Sequence, residues 1–252
     1  MAFDSTYIPF STELRAQTLN ASVANRLDDA EAVLDQAIRV AFPGRIALVS
    51  SFGAEAAPLL HLVARVDRTT PVVFIDTGKH FGQTLDYRRS LAKELGLVNV
   101  RDITPQKDAL EAEDPKGDLW RRDPDACCDL RKVRPLDNVL AGFDAWITGR
   151  KQFHGGDRMA LPAFEASGDQ IKVNPLARWS RERVDAYYKA HGIPRHPLVA
   201  DGYPSIGCWP CTKPSDSKDP RAGRWAGMQK RECGIHRSAP AASETAAQPT
   251  AA

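Results

Sequence analysis

The chain has 252 residues, 42% of them hydrophobic and 26% charged, a size and balance that suit a globular unit burying ~70–75% of its unfolded surface around one sizeable core. Its 34 basic and 32 acidic residues nearly cancel, which argues against nucleic acid or a membrane surface as the main partner and leaves anion binding to local clusters. No run approaches the ~18 apolar residues of a membrane span, and Met1-Ala2-Phe3-Asp4 lacks the start of a signal peptide, so a cytoplasmic protein with reduced thiols is expected.

Taken in chain order, apolar residues at Leu19, Val23, Leu27, Ala30, Leu34, Ala37, Ile38 and Ala41 keep the three-and-four spacing of an amphipathic helix and predict one over residues 17–42, stopped by Pro43-Gly44. Ile46 to Val49 is a short continuous apolar run, the pattern of a strand covered on both faces, and it leads through Ser50 to Glu55 into a helical stretch containing Leu59, Leu60 and Val63. Val72 to Ile75 repeats the buried-strand pattern, ends at Asp76-Thr77-Gly78, and precedes a helix over residues 84–95. Further strands are predicted over 98–103 and 145–148, the second after a helical stretch over 129–140, followed by a hairpin of 161–165 with 170–173 and a helix over 180–191. Alternating strands and helices predict an α/β fold with a doubly wound, mostly parallel sheet and a ligand pocket at the carboxyl ends of its strands. Ser50-Ser51, Asp76-Thr77-Gly78 and Gly149-Arg150 stand at those ends. Residues 1–43 read as an N-terminal helical segment, 44–237 as the main domain, and 238–252, rich in Ala, Pro, Ser and Thr, as a disordered tail.

Five cysteines fall into two pairs and a single residue. Cys127-Cys128 and Cys208-Trp209-Pro210-Cys211 make a four-thiolate set that suits zinc or an iron–sulfur cluster. The adjacent pair favours a cluster, because neighbouring cysteines would close a cramped ring on one tetrahedral ion. Against this, Cys127 and Cys128 could be buried small hydrophobes, although their flanks, Arg121 to Asp125 and Asp129 to Lys132, are polar for a plain core. Cys208 and Cys211 could form a redox dithiol, but that motif belongs at a helix start, whereas Gly202, Pro204, Gly207 and Pro214 surround this one. Cys233 lies among Lys230, Arg231 and His236, charges that favour the thiolate and hence nucleophilic attack.

Four motifs in order, Cys127-Cys128 with Arg131-Lys132, Gly202 to Cys211, Arg221-Ala222-Gly223-Arg224-Trp225 and Glu232-Cys233-Gly234-Ile235-His236, make the chain resemble the cluster-containing adenylyl sulfate reductases, within the family of adenylyl and 3′-phosphoadenylyl sulfate reductases. The resemblance runs over residues 46–236. It implies an adenine-nucleotide α-hydrolase-like (PP-loop) fold with a C-terminal cysteine-bearing segment, one [4Fe-4S] cluster per chain on Cys127, Cys128, Cys208 and Cys211, and reduction of adenylyl sulfate to sulfite and AMP in sulfate assimilation and cysteine biosynthesis. Cys233 would be the nucleophile and carry a thiosulfonate, which a separate thiol carrier, thioredoxin or glutaredoxin, would resolve. Lys132, Arg158, Arg221 and Arg224 would offset the substrate's charge, with His236 near the nucleophile. Ser51, Phe52, Gly53 and Glu55 would form the anion-binding loop, and Asp76, Thr77, Gly78, Gly149 and Arg150 would complete the nucleotide pocket. Ala56, where many members have Asp, and the stretch 150–158 depart from the family pattern. The competing readings are an ATP pyrophosphatase or sulfur-transfer enzyme of the same fold, a reductase specific for the 3′-phosphorylated substrate, and a non-enzymatic iron–sulfur carrier. A homo-oligomer is compatible with all of them.

Overall fold

Strand β1 (Ile46–Val49) owes its place at the middle of the sheet to a run of residues that are apolar on both faces. Ile46 and Leu48 enter one core, while Ala47 enters another. Strands β2 (Val72–Ile75) and β4 (Ala145–Ile147) split in the same way: Val72, Phe74, Ala145 and Ile147 face the larger core, and Val73 and Trp146 the smaller. This alternation is that of a sheet covered on both sides.

The computed structural model describes residues 11–155, 158–216, 219, 221–230 and 232–236. Its six-stranded sheet runs β3-β2-β1-β4-β6-β5. Strand β3 (Val100–Ile103) pairs parallel with β2, β2 and β4 pair parallel with β1, and β6 (Gln170–Val173) pairs parallel with β4. Only β5 (Phe164–Ser167), on the far edge, is antiparallel. This is the doubly wound, mostly parallel α/β sheet expected from the sequence. Its order reverses between β1 and β4, the place where such sheets bind ligands.

The larger core lies under α1 (Thr12–Ser22), α2 (Ala30–Asp35, continued by a π-turn over Gln36–Ala41), α3 (Ala57–Val66), α4 (Gly82–Glu94) and α9 (Arg181–His191). The N-terminal helices thus share one core with the sheet. The opposite face is covered by α8 (Arg134–Leu140), through Leu136 and Leu140. Between β3 and α8 come three short helices, α5 (Lys107–Glu113), α6 (Leu119–Arg122) and α7 (Pro124–Cys128), then a π-turn over Asp129–Val133.

Two expectations are corrected. The single helix over 17–42 is broken at Val23–Asp29, where the Asp29 carboxylate accepts from the Ala32 amide at 3.0 Å and starts a new helix. The strand expected from residue 98 begins at Val100, and Val98 is 73% exposed. Among the described residues no helix is long and apolar enough to cross a membrane. The tail expected over 238–252 lies outside the described residues.

Candidate active site

The carboxyl ends of β1 and β4 open into a pocket at the switch point. From β1 come Ser50, Ser51, Gly53 and Glu55; from β4, Thr148, Gly149, Arg150 and Lys151. Lys132, Arg158, Arg221, Arg224, Cys233 and His236 also line it, so residues from distant stretches of chain meet here.

The loop after β1 is set locally. The Phe52 amide donates to Ser50 Oγ at 3.2 Å, and Phe52 turns through a positive φ of 49° into the core, fully buried and edge-on to Phe74. Phe52 therefore does not line the pocket, and its amide is already partnered. Asp76, Thr77 and Gly78 also stand outside the lining. Asp76 caps the Gly78 amide at 2.9 Å, and Thr77 Oγ1 contacts Cys208 Sγ at 3.3 Å, placing this turn on the cysteine side.

Most cations of the pocket are paired. Arg150 binds Glu165 and Asn174, and the buried Lys151 donates to Glu55 Oε2 at 3.0 Å. His154 Nε2 reaches the same oxygen at 3.1 Å, while its Nδ1 faces Arg158 Nη1 at 3.2 Å, which fixes the neutral tautomer with the proton on Nε2. Burial lowers the His154 pKa, consistent with that form. Burial works against the charge on Glu55, but the His154 hydrogen bond and the Lys151 charge outweigh it and hold the carboxyl at about 2. Arg158 Nη2 in turn donates to Glu232 Oε1 at 2.6 Å, and Arg221 lies 3.3 Å from Glu232 Oε2. A continuous polar chain therefore joins the β1 loop to the residue before Cys233.

Arg224 is different. It is half-buried over the Trp225 ring at 4.5 Å with no carboxylate partner among the described residues, and its buried Nε, like that of Arg150, has no hydrogen-bond partner there. Its guanidinium fills the space beside Gly207, where a Cβ would fall 2.2 Å from Nη2. His236 stacks flat on Trp146 with centroids 5.7 Å apart, and its buried Nδ1 is also unpartnered. Burial, then the charges of Arg150, Arg158, Lys172 and Arg221, push its pKa well below the usual imidazole value. His236 is thus neutral and adds no positive charge near Cys233.

Behind the pocket the other four cysteines line one small cavity with Lys79, Arg131, Lys132 and Trp225. Asp123 caps α7 through the amides of Asp125 and Ala126 and so presents Cys127 and Cys128 at the helix end. Cys208 pairs by backbone with His80, the Trp209 amide donates to Lys79 O at 2.8 Å, and a tight turn over Trp209–Cys211 brings Cys211 round. This is a looped pair, not the helix start of a redox dithiol. All five cysteines are unbridged. Among the described residues no three Cys, His, Asp or Glu side chains form a group that could hold a single metal ion. Burial raises Cys127 to about 12 and Cys128 to about 11. At Cys208 burial is outweighed by Lys132 and the Thr77 hydroxyl, which lower its pKa.

Lys132 lines both spaces and forms part of the wall between them. The π-turn over Asp129–Val133 carries it there. Burial disfavours its charge, yet Cys208, Cys233 and Cys128 more than compensate and hold its pKa above the ordinary lysine value. Arg131, by contrast, is locked by Asp114 at 2.7 Å and the Thr77 carbonyl at 2.8 Å. Sequence reasoning did not single out His80, Lys151, His154 or Glu232, all of which line the pocket. Glu232 had a signal in its place beside Cys233; the pairing of Lys151 and His154 with Glu55 depends on chain stretches brought together only by the fold.

Comparison with known proteins matches residues 45–214 to the phosphoadenosine phosphosulfate reductase domain. A relative named adenosine 5′-phosphosulfate reductase, from Mesorhizobium japonicum, is 52% identical over 207 residues, 82% of each chain. The crystal structure of a phosphoadenylyl-sulfate reductase from Candida auris in complex with phosphate superposes with a TM-score of 0.65 at 27% identity, covering 79% of this chain and 96% of that one. An FMN adenylyltransferase from Candida glabrata, with a TM-score of 0.54 at 14% identity over 80% of this chain and 75% of its own, shares the fold alone.

Proposed function

The chain belongs to the phosphoadenosine phosphosulfate reductase family, and from that premise we propose that it reduces adenylyl sulfate to sulfite and AMP with Cys233 as nucleophile. The observation that carries this reading is the meeting of Cys233 with Lys132, Arg158, Arg221 and Arg224 in one pocket at the switch point of the sheet. A thiol facing four cations suits attack on a sulfate joined to a phosphate. The Cys233 thiolate attacks the sulfate sulfur, the sulfur–oxygen bond to the phosphate breaks, and AMP leaves with the electron pair. Cys233 then carries an S-sulfonate. A thiolate of an outside dithiol attacks Cys233 Sγ and releases sulfite with the bonding pair; the second thiol of that carrier closes its disulfide and frees the Cys233 thiolate. A carrier of the thioredoxin or glutaredoxin class supplies those two electrons.

Arg224, half-buried with no carboxylate partner among the described residues, and Lys132, held charged, are assigned to the oxyanion as it develops on the leaving phosphate. Gly53 and Ser51 at the entry to α3 are assigned to the nucleotide's phosphate end. Adenylyl sulfate is the preferred substrate over its 3′-phosphorylated form, in line with the relatives of that name.

Cys127, Cys128, Cys208 and Cys211 would hold a [4Fe-4S] cluster. Four thiols on one cavity with cationic and aromatic but no carboxylate lining fit such a group in donor type and charge. When bound, it would supply a fixed negative body behind Lys132 and brace the loop of Cys208 against α7. Sulfite release from adenylyl sulfate plus a dithiol, measured on protein purified without oxygen, tests the whole reading. Binding of AMP with no sulfite formed would point instead to a nucleotide-handling enzyme of the same fold.

A further inference from the structure

Glu232 lies between the nucleophile and the arginines assigned to the substrate. One of its oxygens is 2.6 Å from Arg158 Nη2 and the other 3.3 Å from Arg221 Nη2. A carboxylate spanning two guanidinium groups presents to them the charge and oxygen spacing that a sulfate or phosphate would. Arg158 and Arg221 are largely covered, with side-chain exposures of 13% and 25%, whereas Glu232 is 47% exposed and can leave for solvent more readily than they can. Arg158 is further braced from behind by His154, itself tied to Glu55. The arginines are thus the fixed partners of the contact and the carboxylate the movable one.

We propose that Glu232 is an internal stand-in for the substrate's oxyanion: it occupies Arg158 and Arg221 in the empty enzyme and yields them when the sulfate–phosphate group enters. Without it, Arg158, Arg221 and Arg224 would face one another in a pocket that already holds Lys132, and like charges so close repel. Because Glu232 adjoins Cys233, the exchange also ties release of the contact to the arrival of the group that Cys233 attacks. Glu232 is a positioning residue in this scheme and touches no reacting atom. The inference rests on the reading of the pocket as the adenylyl sulfate site.

Two opposite signs of effect separate this scheme from a clasp over bound substrate. In a Cys233→Ser background, which prevents turnover, E232Q should bind adenylyl sulfate and inorganic sulfate about fivefold more tightly by calorimetry, the size of effect expected when one exposed ion pair is no longer in competition. E232D, which keeps the charge, should stay near the parent, and adenosine, which carries no anion, should bind all three alike. Weaker or unchanged anion binding in E232Q would overturn the proposal, as would an equal gain for adenosine. Failure of every variant to bind adenylyl sulfate would instead defeat the reading of the pocket. Damage to the fold would weaken binding, so a gain cannot come from it, and matching thermal melts check the variants.

Discussion

At the scale of single residues, the pocket separates groups with the same formal charge by what they touch. Arg131 is consumed by Asp114 and Arg150 by Glu165, while Arg224 lies over the Trp225 ring with no carboxylate partner among the described residues. The motif around Cys233 and the two cysteine pairs were legible because cysteines at fixed spacing carry their chemistry with them. Phe52 was not, since a positive φ at a strand end decides whether a side chain faces ligand or core, and spacing does not encode it. Cys233→Ser should retain AMP binding while sulfite release falls at least ~10³-fold, read by a sulfite assay, because the nucleophile alone is lost. Gly207→Ala should weaken adenylyl sulfate binding about tenfold, read by calorimetry: its Cβ would enter the space of the Arg224 guanidinium, and a charge-assisted contact is worth ~1.5–3 kcal/mol. His196 gives a pH test far from the chemistry. It is buried, hydrogen-bonded to Thr84 at 3.0 Å and to the Leu198 amide at 3.2 Å, and burial pulls its pKa to about 4. The unfolded chain takes up this proton near pH ~6.5. Between those values the unfolded state binds more protons, so stability falls as pH drops through the window, and this group adds no further loss below it. Thermal melts from pH 7 to 4 should show that decline, with a shallower slope in His196→Asn.

At the scale of elements, β1, β2 and β4 were readable almost to the residue, because a strand buried on both faces must be apolar throughout. The first helix was misjudged for the converse reason. Its three-and-four spacing continues across Val23 and Leu27, yet Asn25, Asp28 and Asp29 have short polar side chains that compete for the backbone, and Asp29 wins by capping α2. Asp29→Ala should cost about 1 kcal/mol, a fall in Tm of ~2–4 °C for a unit of this size, measurable by circular dichroism. The π-turn over Asp129–Val133 was equally invisible, since one extra residue per turn leaves no mark on composition. It sets the angle at which Lys132 leaves the helix that bears Cys127 and Cys128.

At the scale of the whole molecule, the pocket joins the loop after β1 to a segment some 180 residues later, and the cysteine cavity lies directly behind it with Lys132 common to both. Which stretches meet was legible only in outline, through the rule that ligands sit where strand order reverses. Protein purified without oxygen should therefore contain iron and sulfide in near-equal amounts, with about four irons per chain for a cluster on four thiolates; stoichiometric zinc without sulfide, by metal analysis, would remove that assignment. The same topology bears on how the chain is made. Strand β1 pairs on one side with β2, which follows soon after, and on the other with β4, whose first partner to Ile46 is Ala145. A ribosome adding ~5–20 residues each second leaves that second edge of the central strand bare for roughly 5–20 s. For that interval a wholly apolar strand offers a free ladder of amides and carbonyls, so the nascent chain needs shelter from other nascent chains until the second half of its sheet emerges.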